Sequence, residues 1–209
     1  MISKQELFPI NILRIKYPDA HLLNADQDIE NFFNEHNESM NVQEFVGAIE
    51  SSLFIKNYHD VALKSFEPLK DWILTIKNQL WEALGFQDSL LTIERSWINR
   101  STKSNTTVPS HLWPHVHGST DMVCTYYYKY PDGSAPIRFH NPMEVQIGMT
   151  PMYTSSTIVY PEEGELLVWP GWLWHSVDAH EVPANRVVVG FNINQQSFSI
   201  NNKWVRVAT

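Results

Sequence analysis

The sequence predicts a mainly β fold, a jelly roll or a similar barrel preceded by helices, from two observations. After about residue 92, the chain consists of short segments rich in β-branched and aromatic residues, separated by Pro, Gly, Asn and Asp. Before that residue, apolar side chains recur at helical spacing. Several strands at this spacing are typical of a double-sheet domain. We predict one domain over residues 1–209, with an N-terminal strand and supporting helices in about 1–91 and the jelly-roll core in about 92–209.

Two helices are predicted in the N-terminal part. The segment DQDIENFFNEH offers Asp26 or Asp28 as an N-cap and places apolar residues at helical spacing. The longer segment EPLKDWILTIKNQLWEALGF begins near Pro68, ends at Gly85 and carries apolar residues three and four apart on one face. We expect that face to pack against a sheet.

Five later segments are predicted as strands because they are short, apolar and bounded by turn residues. They are LTIERSWINR (91–100), DMVCTYYYKY (121–130), APIRFHN (135–141), GELLVWPGW (164–172) and NRVVVGFNIN (185–194). Between the second and third, YPDGSAP predicts a hairpin turn, since Pro131, Asp132 and Gly133 suit a tight reversal.

Composition excludes several classes of partner. Fifteen Lys and Arg against 23 Asp and Glu give a formal net charge of −8, which disfavours nucleic acid. No stretch approaches the ~20 apolar residues of a membrane helix, so no membrane partner is expected. The lone Cys124 lies in an apolar run and is predicted to be a buried hydrophobe. A single cysteine cannot form an intramolecular disulfide, so we expect a cytoplasmic location. The C-terminal Trp204 and Val205 leave a homodimer contact open.

Three histidines crowd the segment HLWPHVHGST. His115 and His117 are separated by one residue, so on an extended strand both imidazoles project from the same face and can converge on a metal. His111 and His115 have helical spacing, but Pro109 and Pro114 make a helix there improbable.

A third metal ligand must come from elsewhere, and His175 is the candidate. It follows a Pro-Gly turn among three tryptophans, whose apolar walls limit water access. A core histidine bonded to backbone is the alternative. Arg186 enters an apolar strand eleven residues later and requires an anion there. A salt bridge to Glu181 or Glu165 is its structural alternative, and the far carboxylate of a metal-bound dicarboxylate is the functional one.

Two stretches then carry a resemblance to a known family. The chain reads HVHGSTDMVCTYYYKYPDGSAP and then GELLVWPGWLWHSVDAHEVPANRVVVGFN. These stretches resemble the iron(II)- and 2-oxoglutarate-dependent oxygenases, most closely a small bacterial and phage group. The opening LFPINILRI also looks like that group's first strand. The resemblance implies a double-stranded β-helix, cupin-like in form, with helices that buttress one sheet.

Carried over by position, the resemblance assigns roles to individual residues. His115 and His175 match the two iron-binding histidines. Arg186 matches the arginine that pairs with the distal carboxylate of 2-oxoglutarate. A tyrosine on the strand after the HxH motif often contacts that cosubstrate, and strand alternation favours Tyr127 among the three tyrosines at 126–128.

The chain departs from the wider superfamily at His117, where a carboxylate is usual. His117 is our predicted third ligand. Asp121 is the alternative, because a tight turn could fold its carboxylate back, and a site without a third protein ligand is also left open. Asn192 and Asn194 follow Arg186 on the same strand phase, so they could either bond in the pocket or cap a strand end.

The predicted function is an oxidoreductase, a dioxygenase that uses Fe(II) and 2-oxoglutarate to hydroxylate an unknown small-molecule or protein substrate with release of succinate and CO₂. Two alternatives stay open. One is a three-histidine, cupin-like dioxygenase that does not use 2-oxoglutarate, and the other is a non-catalytic jelly-roll binding module. Trp113, Trp172 and Trp174 could line the substrate mouth or simply pack.

Overall fold

The computed structural model describes residues 10–36, 49–54, 64–87, 89–101, 112–142, 156–178, 185–200 and 203–206. Within these ranges the helices are α1 (Asp26–Glu35) and α2 (Glu67–Ala83). The strands are β1 (Leu13–Lys16), β2 (Ile49–Ser51), β3 (Ser89–Ser101), β4 (Leu112–His115), β5 (Met122–Lys129), β6 (Ile137–His140), β7 (Ser156–Val159), β8 (Glu165–Pro170), β9 (His175–Val177), β10 (Arg186–Ile200) and β11 (Lys203–Arg206).

The strands form two antiparallel sheets. The larger sheet has seven strands in the order β1-β8-β5-β10-β3-β2, with β11 paired to β10. The smaller sheet has four strands in the order β4-β9-β6-β7. Two facing antiparallel sheets of this kind make the double-stranded β-helix that the sequence predicts. The helices are interleaved with the first strands, so they do not precede the sheets as a separate unit.

The larger sheet is buried on both faces at its strand β5. Tyr126 belongs to the apolar cluster under the helices and lies edge-on to Tyr17, at 6.0 Å between ring centroids. Tyr127 belongs to a second cluster between the two sheets, together with Trp97 and Trp169. Because neighbouring side chains of a strand point to opposite faces, one strand supplies both clusters. A strand buried on both sides reads as a continuous apolar run, as MVCTYYY does.

The contacts of α1 correct the predicted helix cap. The N-cap is Ala25, and no side chain caps the first turn. The carboxylate of Asp26 instead accepts a hydrogen bond from the Tyr128 hydroxyl and pairs with Lys129 at 2.7 Å. The hydrogen bond from Lys129 lowers the pKa of Asp26. The carboxylate therefore docks the helix on β5, and in α2 Pro68 occupies the first turn as predicted.

The predicted hairpin at YPDGSAP is wrong. The turn itself is present, with the Ser134 amide bonded to the Pro131 carbonyl and Gly133 at a φ of 82°. The flanking strands β5 and β6, however, lie in different sheets. Turn chemistry specifies a local reversal of the chain, but it does not specify which sheet the next strand joins.

Three further predictions meet the structure only in part. Among the described helices, none combines the length and apolar composition needed to cross a bilayer. The backbone of β11 pairs with β10, but the side chains of Trp204 and Val205 lie outside the described set, so the homodimer contact stays a prediction. The single-domain assignment of residues 1–209 also stays a prediction.

Candidate metal centre and cavity

Two neighbouring strands of the smaller sheet present the first two histidines. His115 ends β4 and His175 begins β9, and the two are direct cross-strand partners. His117 lies just beyond the end of β4, so the predicted strand alternation does not explain its direction. One ring nitrogen from each of the three histidines lies within 4.8 Å of the other two. The structure thus brings the three residues together, while their role as ligands stays a prediction.

Hydrogen bonds fix which nitrogen each histidine offers. Nδ1 of His115 lies 2.8 Å from the Trp113 carbonyl oxygen, and Nδ1 of His175 lies 2.9 Å from the Leu173 carbonyl oxygen. A carbonyl oxygen only accepts, so each Nδ1 carries the proton and each Nε2 keeps a free lone pair. Histidines that bind metals usually donate their second ring nitrogen in this way.

His117 follows the same rule through a side chain. Its Nδ1 lies 2.9 Å from the amide oxygen of Asn192 on β10, in the opposite sheet. Its Nε2 lies 3.2 Å from Nε2 of His175. With both Nδ1 atoms protonated, these two Nε2 atoms face each other with lone pairs, and this contact favours a bound cation between them.

Burial keeps the three rings neutral. It lowers the pKa of His117 to about 4, and the neighbouring His115 adds to that shift. Burial also lowers the pKa of His115 and, further, that of His175. A neutral imidazole is the form that coordinates a metal, so protons compete weakly for these nitrogens near pH 7.

A close contact between two loops holds His117 in place. The His117 amide donates to the Gly171 carbonyl, and the Gly171 amide donates to the Asp121 carbonyl, at 3.1 and 2.9 Å. A Cβ on residue 171 would lie 1.9 Å from the Thr120 carbonyl oxygen. Only glycine therefore allows the WPGW turn to approach the HGST loop this closely.

The larger sheet contributes an aromatic wall. Trp97 on β3 faces Gly190 on β10, where a Cβ would lie 2.3 Å from the indole. The indole packs against His117, at 5.4 Å between ring centroids. On the other side Trp169 meets His175 edge-on at 5.0 Å. Two indoles thus shield the histidines from water.

Arg186 and Tyr127 lie between the sheets with unpaired polar atoms. Arg186 is 4% exposed, and Glu165, one predicted salt-bridge partner, pairs with Arg14 instead. The other, Glu181, lies outside the described residues. Within the described chain, neither Arg186 Nε nor the Tyr127 hydroxyl has a hydrogen-bond partner. Burial raises the pKa of Tyr127 to about 12, against the opposing effect of the Arg186 charge.

Of the remaining predicted residues, some belong to the site and others only connect the strands and loops around it. Asn192 contacts His117 and so belongs to the site. The Asp121 carboxylate accepts the Gln195 amide at 2.8 Å and is not part of the histidine group. Asn194 bonds to the Asp121 amide and to Glu94, so it ties β10 to the loop. His111 lies outside the described residues.

A cavity of about 790 Å³ opens beside the histidines, between the sheets. Arg186, Tyr127 and Trp113 line it, whereas Trp172 and Trp174 do not and are each 48% exposed. Among the lining residues that the sequence did not indicate, Arg95, Trp97 and Asn99 project from β3. A glycine inside a strand often marks a close approach, so Gly190 is the signal in the sequence that could have pointed to Trp97.

Comparison with known proteins finds a family match over part of the chain. Residues 95–192 match the model of a family described as "Putative 2OG-Fe(II) oxygenase". The matched segment contains the three clustered histidines and Arg186. Over this segment, which is somewhat less than half of the chain, the sequence is similar to the 2OG-Fe(II) oxygenases. Fe(II) and 2-oxoglutarate are the metal and the cosubstrate that give this family its name.

Solved structures of oxygenases share the fold at low identity. An oxidoreductase of the 2OG-Fe(II) oxygenase family from Burkholderia pseudomallei is 13% identical, with a TM-score of 0.52 over 88% of this chain and 84% of its own. A prolyl-4-hydroxylase from Pseudomonas putida is 11% identical, with a TM-score of 0.58 over 88% and 92%. HygX from Streptomyces hygroscopicus, solved with nickel, 2-oxoglutarate and hygromycin B, is 12% identical, with a TM-score of 0.54 over 89% and 83%. No curated protein matches the sequence.

Proposed function

We propose that this protein is a 2OG-Fe(II) oxygenase, and more specifically a hydroxylase, in which His115, His117 and His175 hold Fe(II). The observation that carries the proposal is the shared orientation of the three rings. Each commits Nδ1 to an oxygen acceptor, the Nε2 atoms of His117 and His175 lie 3.2 Å apart, and one ring nitrogen of each histidine lies within 4.8 Å of the other two. Fe(II) accepts imidazole nitrogen, so the donor set fits the metal.

His117 is the better third ligand than Asp121. The Asp121 carboxylate already accepts a backbone hydrogen bond from Gln195, and it lies outside the group of converging nitrogens. His117 is neutral, whereas the usual carboxylate is charged. The centre therefore carries one more positive charge than a centre with two histidines and one carboxylate.

The far carboxylate of 2-oxoglutarate is assigned to Arg186 and Tyr127. A buried guanidinium without a carboxylate partner among the described residues costs free energy that a bound anion recovers. The fork of an arginine also matches a carboxylate in two parallel hydrogen bonds. The Tyr127 hydroxyl stays protonated near neutral pH, because burial raises its pKa, and can donate to the same group.

Bound Fe(II) and 2-oxoglutarate supply the oxidation, in which O₂ converts the cosubstrate to succinate and CO₂ and hydroxylates the substrate. The chain's own residues orient and protect this chemistry. Trp97 and Trp169 exclude water on two sides of the histidines. Asn192 holds the His117 ring in the tautomer that leaves Nε2 free. The substrate, the absence of a nucleic-acid partner and a cytoplasmic location stay predictions.

An anaerobic titration of the metal-free protein with Fe(II) tests the assignment, followed by visible absorption before and after 2-oxoglutarate is added. We expect a charge-transfer band that requires 2-oxoglutarate, weakens in Arg186→Ala and disappears together with iron binding in His117→Ala. Tight iron binding without the band would favour the cupin-like dioxygenase. No iron binding would favour a jelly-roll binding module.

A further inference from the structure

The charges that line the cavity have one sign. Its lining includes two arginines, Arg95 and Arg186, and no aspartate or glutamate among the described residues. This is unusual in a chain whose formal net charge is −8. A concave site lined by charges of one sign concentrates ligands of the opposite sign, and here Arg186 is buried whereas Arg95 is exposed.

The two arginines lie at opposite ends of the cavity. Arg95 on β3 is the cross-strand partner of Asn192, whose amide oxygen contacts His117. Arg186 lies six residues before Asn192 on β10, about 20 Å away at the rise of an extended strand. Arg95 is therefore at the histidine end, and Arg186 is at the far end.

Acidic neighbours do not neutralise Arg95. The adjacent Glu94 lies outside the cavity lining, and its carboxylate accepts a hydrogen bond from Asn194. The described part of the chain contains no ion pair to Arg95. The register between β3 and β10 shifts beside it, just after Asn192. Such bulges often re-aim a side chain next to an active site.

The charge of the cavity persists after the cosubstrate binds. The two carboxylates of 2-oxoglutarate match the two guanidinium groups in charge. Three neutral histidines contribute no negative charge, so a bound Fe(II) remains uncompensated. This step rests on the proposed function. It predicts that the cavity still has a net positive charge when Fe(II) and 2-oxoglutarate are bound and the substrate enters.

We propose that the substrate is a small organic anion, a carboxylate or a phosphate ester, whose charged group binds Arg95. The volume of the cavity, about 790 Å³, suits a small molecule rather than a folded partner. The apolar body of the ligand lies against Trp97 and Trp113, which line the same end as His115 and His117. Arg95 then fixes the distance between the anion and the reacting carbon.

Matched ligands test the proposal by binding rather than by turnover. Each of several small apolar molecules is prepared in four forms that differ in one terminal group: a carboxylate, a phosphate monoester, a carboxamide and an amine. Each compound is titrated calorimetrically and without oxygen into protein that holds Fe(II) and saturating 2-oxoglutarate, so that the Arg186 end is filled. For at least one of these molecules, we expect an anion to bind roughly tenfold or more tightly than its carboxamide, as a charge-assisted hydrogen bond implies. The amine should bind most weakly.

Variants of Arg95 separate this inference from the proposed function. Arg95→Met should abolish the preference for anions, and Arg95→Lys should restore part of it. Lys77→Met on α2 removes a charge from another part of the structure and should have no effect. Arg95→Met should bind Fe(II) and 2-oxoglutarate as the wild type does, which also shows that it is folded.

The outcomes are distinct. If the wild type fails to bind 2-oxoglutarate, the proposed function fails first. If 2-oxoglutarate binds but neutral or cationic compounds bind as tightly as anions, or no anion binds, the inference is wrong. A preference that survives in Arg95→Met also overturns it. The ranking of carboxylate against phosphate identifies which anion the site accepts.

Discussion

At the residue scale, the acceptors opposite the histidines matter as much as the rings. Two of them are backbone carbonyls, of Trp113 and Leu173, and the third is the Asn192 side chain. A ring without its acceptor can rotate or change tautomer, and its Nε2 lone pair is then no longer held toward the metal. The side-chain acceptor can be removed by mutation, which makes Asn192 a positioning residue that can be tested.

Asn192→Ala is expected to weaken metal affinity by about 10- to 100-fold, the range typical of partners behind metal ligands. Asn192→Asp keeps an oxygen acceptor at that position and should restore most of the affinity. Competition of Fe(II) against a chelating dye measures both variants. Equal affinities for wild type and Asn192→Ala, with thermal stability unchanged, would show that the His117 ring needs no support from β10.

Tyr127 and Tyr128 form a matched pair on one strand. The Tyr127 hydroxyl is buried without a partner among the described residues, whereas the Tyr128 hydroxyl bonds to Ala25 and Asp26 at 2.9 Å. A buried, unsatisfied polar group costs about 1–3 kcal/mol. Tyr127→Phe should therefore cause no loss of stability without ligands but should lower 2-oxoglutarate affinity about tenfold.

Tyr128→Phe should do the opposite. It loses two hydrogen bonds, so its free energy of unfolding should fall by about 1 kcal/mol, with 2-oxoglutarate affinity unchanged. Urea unfolding measures the free energy of unfolding of each variant, and a titration with 2-oxoglutarate measures its affinity. A Tyr127→Phe variant that loses stability and keeps its affinity would assign Tyr127 to packing alone.

At the scale of elements, the site depends on two loops and on the register between strands. Gly171 lets the turn between β8 and β9 touch the loop after β4, and that contact holds His117. Gly171→Ala would place a methyl carbon 1.9 Å from the Thr120 carbonyl oxygen, so the loops must separate. We expect loss of metal affinity that exceeds the change in stability, since the sheets themselves are untouched.

Gly85→Ala is the control for that prediction. Gly85 follows α2 at a φ of 90°, with nothing within 4 Å of an added Cβ, and it lies in a different part of the structure. The substitution should cost stability through backbone strain but leave metal affinity unchanged. If both variants bind Fe(II) as tightly as the wild type, the contact between the loops does not position His117.

The elements also show what sequence could and could not predict. The sequence predicted β3, β5, β8 and β10 from segments rich in β-branched and aromatic residues, and α2 from apolar residues at helical spacing. Each of these elements is long enough to show its pattern. β2, β4, β7 and β9 have three or four residues and were not among the five predicted strand segments, whereas the equally short β6 lies within APIRFHN, which turn residues bound. The prediction of a hairpin at YPDGSAP was wrong because turn residues specify a local reversal only. Which sheet the next strand joins is a tertiary property.

The site divides in the same way. Close spacing along the chain indicated His115 and His117, and a motif-like context indicated His175 and Arg186. The cavity residues of β3 were missed, because Arg95 and its neighbours become visible only once β3 is paired with β10. Register is set by long-range pairing and by bulges, which local residue types do not specify.

At the scale of the whole molecule, one sheet connects the metal centre to the helical side. On β5, Thr125 lines the cavity while the next residue back, Cys124, is packed in the cluster beneath the helices. Cys124 is fully buried, and burial raises the pKa of its thiol. Because only a thiolate reacts readily, alkylation of Cys124 requires the sheet to open.

Alkylation of Cys124 by iodoacetamide should therefore report metal binding from the opposite face of the sheet. A ligand that binds only the closed form suppresses opening by a factor of 1 + [L]/Kd, about a hundredfold when the metal is at 100 times its Kd. We expect Fe(II) without oxygen to slow the reaction by that factor, 2-oxoglutarate to slow it further, and chelation to reverse both. In His175→Ala, whose site lacks a ligand, the rate should not respond to metal. If wild type and variant respond alike, Cys124 reacts through a local opening that leaves the three histidines in place, and the two faces of the sheet are uncoupled.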